Sequence, residues 1–512
     1  VRRPAIVFIG FMGAGKSTAA VAAALDSGVE PLDTDVLLER RLGTTIDEFF
    51  AAHGEEEFRR HEEELATELL ESAEGGAVAL GGGSVLSPRV RDALARHTVV
   101  WLQVDPDEAW RRVEGAGRPL ARDGARFEAL LEQRLALYES LADAVVMPSG
   151  PEAVERALPA LRALAGLPAG TKMLWAASAS GEYPIVVGRG PLGAGWWPLE
   201  GRRFCVSDRV VGSLYGDRLR PLAAAVEIPP GEEAKTMAVA ERVLRELARA
   251  GMTREDHVVA LGGGVVGDLA GFCAHTYQRG VPVVQAPTTL VAQVDSAYGG
   301  KTGVDLPEGK NYAGAYHQPA AVIADTGTLE TLPAEELAAG FVEVLKTGLL
   351  AGDALWERVR TIESLDPAEL DDVVFACARH KCEVVAADER DAGLRHTLNL
   401  GHTVGHAIEA ASGYARYRHG EAIGLGLLAA LRLSGAPGLR EEVAELLGRH
   451  GLPVELDRAI DLEAILDALQ RDKKRTVAGV GFVLLAEPGA PRVGQAVDPA
   501  KVRLAVEELY AR

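Results

Sequence analysis

The sequence predicts an α/β protein in three parts: a parallel sheet with flanking helices, a second α/β region, and a mainly helical last third. Three observations predict it. Residues 10–18 read Gly10-Phe11-Met12-Gly13-Ala14-Gly15-Lys16-Ser17-Thr18, a complete GxxxxGK[ST] loop directly after the strand-like run Ala5–Ile9. Residues 258–268 read Val258-Val259-Ala260-Leu261-Gly262-Gly263-Gly264-Val265-Val266-Gly267-Asp268, a GxGxxG at the end of a second strand-like run. After about residue 330 the strand signals stop and long helical patterns follow. The first loop predicts a nucleoside triphosphate and the second, more weakly, a dinucleotide. Two such sites far apart imply two enzymes joined end to end.

Composition bounds the rest. A chain of 512 residues is too long for one core, so roughly two to four domains are expected. An apolar fraction of 47% and a charged fraction of 25% are those of a folded globular protein. The net charge of −20 argues against nucleic acid or an anionic membrane as partner, since both need a positive face. No run of apolar residues is long enough to span a bilayer. Val1-Arg2-Arg3-Pro4 leads straight into a strand, which leaves no room for a signal peptide. Cys205, Cys273, Cys377 and Cys382 form no CxxC pair, so a reducing cytoplasmic setting with core thiols is expected.

Residues 1–165 alternate short apolar runs with charged helical stretches. Strands are expected at 5–9, 29–33, 77–81, 98–103 and 144–147, with a long charged helix over 46–74. That alternation means a mostly parallel sheet. Residues 166–180, which include Gly166-Leu167-Pro168-Ala169-Gly170, read as a linker. A Rossmann-like α/β region is expected over 181–330, with strands at 183–187, 203–207, 224–228, 258–261 and 281–285. Helices over 334–350, 367–389, 402–412, 420–433 and 438–449 make 331–512 mainly helical.

In the first part, the backbone around Gly13 and Gly15 and the following helix start would hold phosphate oxygens. Lys16 is expected on the β/γ-phosphates, with Ser17 on Mg²⁺ and Thr18 beside it. Leu32-Asp33-Thr34-Asp35 puts two carboxylates at the mouth of the sheet. One can join the metal shell and the other orient or deprotonate an acceptor hydroxyl. The alternative is a helix cap by Thr34 or Asp35. Arg59 in Phe58-Arg59-Arg60 and Arg134 in Glu132–Tyr138 suit a carboxylate. Gly81-Gly82-Gly83 can admit a ligand against backbone, and Gly115–Leu120 reads as a lid bearing Arg118.

Taken in order over residues 4–150, these elements resemble shikimate kinase. The resemblance implies ATP and Mg²⁺ on Lys16 and Ser17, Asp33 near the metal, and Asp35 on a shikimate hydroxyl as base. It implies Arg59 and Arg134 on the shikimate carboxylate, Gly81–Gly83 lining the pocket, and Arg118 closing from the lid. Gluconate kinases share the P-loop framework, but the Leu32–Asp35 and Phe58–Glu62 segments argue against them.

In the later parts, Thr288 and Thr289 end a strand and offer hydroxyls to a cofactor. Arg279, Lys301, Lys310 and Asn311 form a basic cluster suited to phosphate or carboxylate. The metal candidates are Glu343, His402, His406 and His419; His402 and His406, four apart, can be read as a zinc pair.

The stretches Gly231–Lys235, Gly262–Gly271, Tyr277–Gly280, Pro287–Leu290, Asp295–Asp305, Glu343–Gly348, Arg395–His406 and His419–Ala422 resemble 3-dehydroquinate synthase. The likeness covers about 181–490. It implies Zn²⁺ or Co²⁺ on Glu343, His402 and His419, with His406 left for the substrate, in place of the simple His402/His406 pair. It implies NAD⁺ on Gly263, Gly264, Asp268, Thr288, Thr289 and the Glu232/Lys235 segment. Substrate contacts would be Asp295, Lys301, Asn311, Lys346, Lys381, Arg395, Asn399, His406 and Lys473. Arg279 would reach a neighbouring subunit's phosphate, so a homodimer through this half is implied. Leu400 stands where the family usually has Phe. The expected function is therefore bifunctional: phosphorylation of shikimate, and cyclisation of 3-deoxy-arabino-heptulosonate 7-phosphate to 3-dehydroquinate. Rival readings make the second half another sugar-phosphate cyclase or a glycerol-dehydrogenase-like oxidoreductase, or one half an inactive structural module.

Overall fold

The computed structural model describes residues 4–114, 123–150, 152–473 and 481–510. The chain divides into two compact units. The first comprises Val1–Ala177, Glu182–Val186 and Ala194–Pro198; the second comprises Ser178–Gly181, Val187–Gly193 and Leu199–Arg512.

In the first unit the strands are β1 (Ile6–Ile9), β2 (Leu32–Asp33), β3 (Ala77–Ala79), β4 (Thr98–Leu102), β5 (Ala144–Val146), β6 (Lys172–Ser178) and β7 (Gly181–Gly188). They lie in the order β2-β3-β1-β4-β5-β6-β7, and every pairing from β2 to β6 is parallel. Both faces of a parallel sheet are covered, so its strands are apolar throughout: β1, β4 and β5 are buried at every residue. The helices are α1 (Lys16–Ser27), α2 (Thr34–Leu42), α3 (Ile46–Ser72), α4 (Pro88–Leu94), α5 (Pro106–Val113), α6 (Gly124–Leu141) and α7 (Ala153–Leu164). Alanines of α1 (Ala19, Ala20, Ala23, Ala24) and apolar residues of α7 pack on the sheet through Ile6, Phe8, Val100 and Val146. Helix α3 starts at a capping box of Thr45 and Glu48 and bends at Gly54, whose φ is 83°.

The second unit holds β8 (Arg203–Asp208), β9 (Ala224–Ile228), β10 (His257–Gly262), β11 (Val283–Pro287) and β14 (Ala321–Asp325) in the order β14-β11-β10-β8-β9. All four pairings are parallel. The order reverses between β8 and β10, and ligands bind outside the carboxyl ends of strands at such a switch point. A separate hairpin joins β12 (Lys301–Leu306) to β13 (Gly309–Tyr316). The helices are α8 (Arg209–Tyr215), α9 (Met237–Arg249), α10 (Gly264–Thr276), α11 (Ala334–Ala351), α12 (Asp353–Arg360), α13 (Asp371–Ala387), α14 (His402–Ala411), α15 (His419–Ser434), α16 (Pro437–Arg449), α17 (Leu462–Lys473) and α18 (Pro499–Glu507). Helices α11 and α15 are apolar almost all round and correspondingly buried.

Three features depart from the sequence expectation. Strand β6 lies inside the stretch read as a linker: Met173-Leu174-Trp175-Ala176-Ala177 extends the sheet along β5, with Ala144, Val145 and Val146 opposite Met173, Leu174 and Trp175. Glycine and proline before it masked a short apolar run. Strand signals do not stop at 330, because β15 (Phe482–Leu485) and β16 (Pro491–Gln495) form a late hairpin. The β12–β13 hairpin was also unread, since its glycines and lysines mimic a loop. Among the described residues no helix is long and apolar enough to cross a membrane. The four cysteines are buried and free, and burial pushes the thiols of Cys205, Cys273 and Cys377 up to about 12.

Trp175 is 8% exposed, packs in the first unit's core with Met173 and Val186, and donates from Nε1 to Glu182 Oε2 at 2.9 Å. Trp175→Ala should cost about 3–5 kcal/mol of that unit's stability. Chemical denaturation followed by far-UV circular dichroism measures it; an unchanged transition would mean that β6 is not part of that core.

Candidate active sites

The first site forms at the carboxyl ends of β1, β2 and β3. Gly15 caps α1 in a left-handed conformation (φ 89°) with no side-chain acceptor, so the helix start presents its N–H groups to a ligand. Lys16 Nζ is folded back on the loop, donating to Gly10 O at 3.0 Å and Phe11 O at 2.9 Å. The helix cap at the carboxylate pair is Asp33, not Thr34 or Asp35: its Oδ1 accepts from Asp35 N and Val36 N at 2.9 and 3.3 Å. Thr34 instead turns inward, donating to Ala79 O and accepting from Gly81 N at 2.7 Å. A cavity of about 610 Å³ is lined by Ser17, Asp33, Asp35, Arg59, Gly82, Gly83 and Arg134, among others.

The basic side chains of this cavity are held in place. Arg59 Nη1 bonds Glu62 Oε2 at 2.6 Å, and Ser84 Oγ donates to the other Glu62 oxygen at 3.0 Å. Arg134, 4% exposed, donates from Nη1 to Gly82 O at 3.0 Å, and Tyr138 OH donates to the same carbonyl at 2.7 Å. The glycines leave room for these side chains: a Cβ on Gly81 would displace the Glu62 carboxylate, and one on Gly83 would displace the Arg59 guanidinium. Gly13, Gly15 and Thr18 line a neighbouring cavity of about 340 Å³. Arg118 lies outside the described residues. Sequence reasoning gave no role to Glu62, although its spacing of three from Arg59 on one helix was the available signal.

The second site is built on α11, α13, α14 and α15. Glu343, 1% exposed, is the centre. His402 Nε2 and His419 Nε2 stand 3.6 and 3.5 Å from its Oε1, and Lys346 Nζ stands 2.5 Å from its Oε2. Neither oxygen makes a hydrogen bond of normal geometry. Burial alone would raise the Glu343 pKa, but Lys346 and the two imidazoles hold it well below the carboxylate range. One donor atom from each of Glu343, His402 and His419 falls within 4.8 Å of the others, the makings of a metal centre. His406 is exposed and belongs to a second such group with Glu409 and His419.

Cations surround the centre. Asp295, on a π-helical turn (Ala292–Ser296), pairs with Lys381 and with Lys346, the latter at 3.4 Å. Lys301 pairs with Asp391. Arg395 is 2% exposed and turned onto backbone, donating to Glu389 O at 2.7 Å and Gly299 O at 3.0 Å. Arg279, Asn311 and Asn399 are exposed; the Lys473 side chain lies outside the described residues.

Gly263 caps α10 at the switch point without a side-chain acceptor. A Cβ there would meet Thr289 Cγ2 at 2.9 Å, and one on Gly264 would meet Ser296 Oγ at 3.0 Å. Thr288, 3% exposed, donates its N–H to Gly262 O at 3.0 Å. Beneath this turn Lys235 bonds Asp268 at 3.0 Å and lies 3.3 Å from Glu232. Burial lifts the Asp268 pKa to about 6 against the pull of Lys235.

Comparison with known proteins decides the family. Residues 225–339 and 340–475 match the family models for the N-terminal and C-terminal parts of 3-dehydroquinate synthase, and residues 12–163 match that for shikimate kinase. The 3-dehydroquinate synthase of Symbiobacterium thermophilum is 44% identical over 351 residues, 64% of this chain and 98% of its own length. The chain belongs to the 3-dehydroquinate synthase family. A shikimate kinase domain precedes the synthase. Among solved structures, 2-deoxy-scyllo-inosose synthase with carbaglucose-6-phosphate, NAD⁺ and Co²⁺ is 25% identical (TM-score 0.60; 66% of this chain, 99% of that one). The 2-epi-5-epi-valiolone synthase of Streptomyces hygroscopicus subsp. jinggangensis, with NAD⁺ and Zn²⁺, is 28% identical (TM-score 0.56; 65% and 99%).

In the kinase half, Gly83→Ala should push the Arg59 guanidinium aside without disturbing the backbone, whose φ at Gly83 is −101°. The KM for shikimate should rise about tenfold, the size of one lost charge-assisted contact, with a smaller change in kcat. An unchanged KM would remove Arg59 from the acid-binding set.

Proposed function

We propose the following division of labour for the two activities. The kinase half transfers the γ-phosphoryl group of ATP·Mg²⁺ to a hydroxyl of shikimate. There the uncapped start of α1, with Gly13 and Gly15, cradles the phosphates, and Lys16 leaves its carbonyl partners to neutralise the β- and γ-oxygens. Ser17 and Asp33 would hold the Mg²⁺ ion, Asp33 with its Oδ1 also serving the helix cap. Asp35, in the same cavity, takes the proton of the attacking hydroxyl. Arg59 and Arg134 hold the shikimate carboxylate against the Gly81–Gly83 backbone, and Arg118, outside the described residues, would serve the transferring phosphate.

The synthase half converts 3-deoxy-arabino-heptulosonate 7-phosphate to 3-dehydroquinate with release of phosphate. The observation that carries this reading is the buried Glu343 with His402 and His419 beside it and Lys346, Lys381 and Asp295 around it. Glu343's oxygens, buried and without hydrogen bonds of normal geometry, fit a divalent cation such as Zn²⁺ or Co²⁺. The N–H groups at the start of α10, with Asp268, Thr288, Thr289, Glu232 and Lys235, fit NAD⁺. When bound, the dinucleotide would supply reversible hydride transfer and the metal would supply Lewis-acid polarisation of a substrate oxygen. Lys301, Asn311, Lys346, Lys381, Arg395, Asn399 and Lys473 would fix carboxylate and phosphate in register, Asp295 holds Lys346 and Lys381, and His406 faces the substrate. Exposed Arg279 would complete a neighbouring subunit's phosphate site, making the synthase half a homodimer. Buried free thiols suit a reducing, cytoplasmic setting. The relatives named synthase at 44% identity favour this substrate over those of the cyclases at 25–28%.

Phosphate release from 3-deoxy-arabino-heptulosonate 7-phosphate should proceed without net NADH. Accumulating NADH would make the half a dehydrogenase, and no turnover would point to another cyclase substrate. Chelating the metal should abolish that release, while phosphorylation of shikimate persists in excess Mg²⁺. Lys16→Met should do the reverse, lowering the kinase kcat at least about 100-fold with the synthase rate unchanged. Loss of both activities in either experiment would contradict two independent sites.

A further inference from the structure

We propose that Glu409 is a positioning residue that sets the tautomer and direction of His419; the inference rests on Glu343, His402 and His419 being the metal ligands. Glu409 lies on α14, 4% exposed, and no role above uses it. Its Oε1 stands 3.4 Å from His419 Nδ1, while the opposite ring nitrogen, Nε2, stands 3.5 Å from Glu343 Oε1. A neutral imidazole has one N–H and one lone pair. An acceptor at Nδ1 fixes the proton there and turns the Nε2 lone pair towards Glu343.

His402 is arranged in the same way. Its Nδ1 lies 3.2 Å from Leu400 O and its Nε2 faces Glu343 Oε1 at 3.6 Å. Both rings thus have an oxygen on the outer nitrogen and the Glu343 carboxylate on the inner one. The two oxygens differ in kind: a backbone carbonyl for His402, a carboxylate for His419. Glu409 is itself steadied by Lys310 of β13, whose Nζ lies 3.7 Å from Oε1 and 4.4 Å from the centre of the Tyr414 ring. A buried carboxylate needs such a cation.

The competing arrangement makes Glu409 a ligand, in the group with His406 and His419. It would leave Glu343, the more deeply buried carboxylate, outside the metal shell, and it would use an exposed His406. The matched orientation of His402 and His419 favours the positioning role.

The test uses the full chain, with Zn²⁺ affinity measured by competition with a chromophoric chelator and Co²⁺ absorption recorded at saturation. Glu409→Ala should weaken Zn²⁺ binding about 10- to 100-fold, the usual cost of removing a ligand's outer partner. Its saturated Co²⁺ spectrum should match that of the unaltered protein, because the ligands are the same. Glu409→Gln keeps the shape and an acceptor oxygen, and should fall between the two; it carries the test if the alanine variant does not fold. Unchanged affinity in both variants would overturn the proposal, and so would an altered Co²⁺ spectrum at saturation, which would make Glu409 a ligand. If the unaltered protein binds no Zn²⁺, or Glu343→Gln binds it as tightly, the ligand assignment fails first and the inference falls with it.

Discussion

A carboxylate with 1% exposure stays ionised only where cations surround it, and Glu343 organises the synthase half on that condition. Its neighbours are a lysine one helical turn away and two imidazoles from α14 and α15. Lys346 in turn leans on Asp295, which also draws in Lys381. One buried negative charge thereby brings together five other polar side chains from five segments of the chain. Removing Lys346 would leave the Glu343 carboxylate without its cation at 2.5 Å. Glu343 itself makes no hydrogen bond of normal geometry among the described residues.

The kinase half solves a related problem on a smaller scale. Glu62 is 4% exposed and fixes both Arg59 and Ser84, so the guanidinium is aimed before a ligand arrives. Gly81 and Gly83 leave the room that these groups occupy. Both halves also follow a parallel strand with glycines and begin a helix with no side-chain cap, at Gly15 and at Gly263. The two loops resemble each other in presenting bare backbone N–H groups, the arrangement that anions favour.

What could be read in advance depended on how local the signal was. The P-loop and its flanking β1 and α1 are adjacent in sequence, and the structure has them as expected. Buried parallel strands such as β4 and β10 announce themselves by unbroken apolar runs. The β12–β13 hairpin did not, because glycines and lysines break its alternation. Strand β6 was hidden by the glycines and proline before it. The side-chain partnerships were the least legible. His402 and His406 share a helix face, yet His402 and His419, seventeen positions apart, are the pair that faces Glu343. The pairing depends on how α14 packs against α15. Asp33 acting as the cap, and Arg395 turned onto Gly299 and Glu389, are decided by local backbone geometry that residue type does not encode. Glu409 left one trace, its position on the same face as His402 and His406.

The central claim is that Glu343, His402 and His419 form one metal centre. Anomalous diffraction at the zinc edge, from crystals of the full chain grown with Zn²⁺, tests it directly. The account predicts a single strong peak in the synthase half, about 2.0–2.2 Å from a Glu343 oxygen and from Nε2 of both histidines. A peak beside His406 and Glu409, or none in this half, would contradict it.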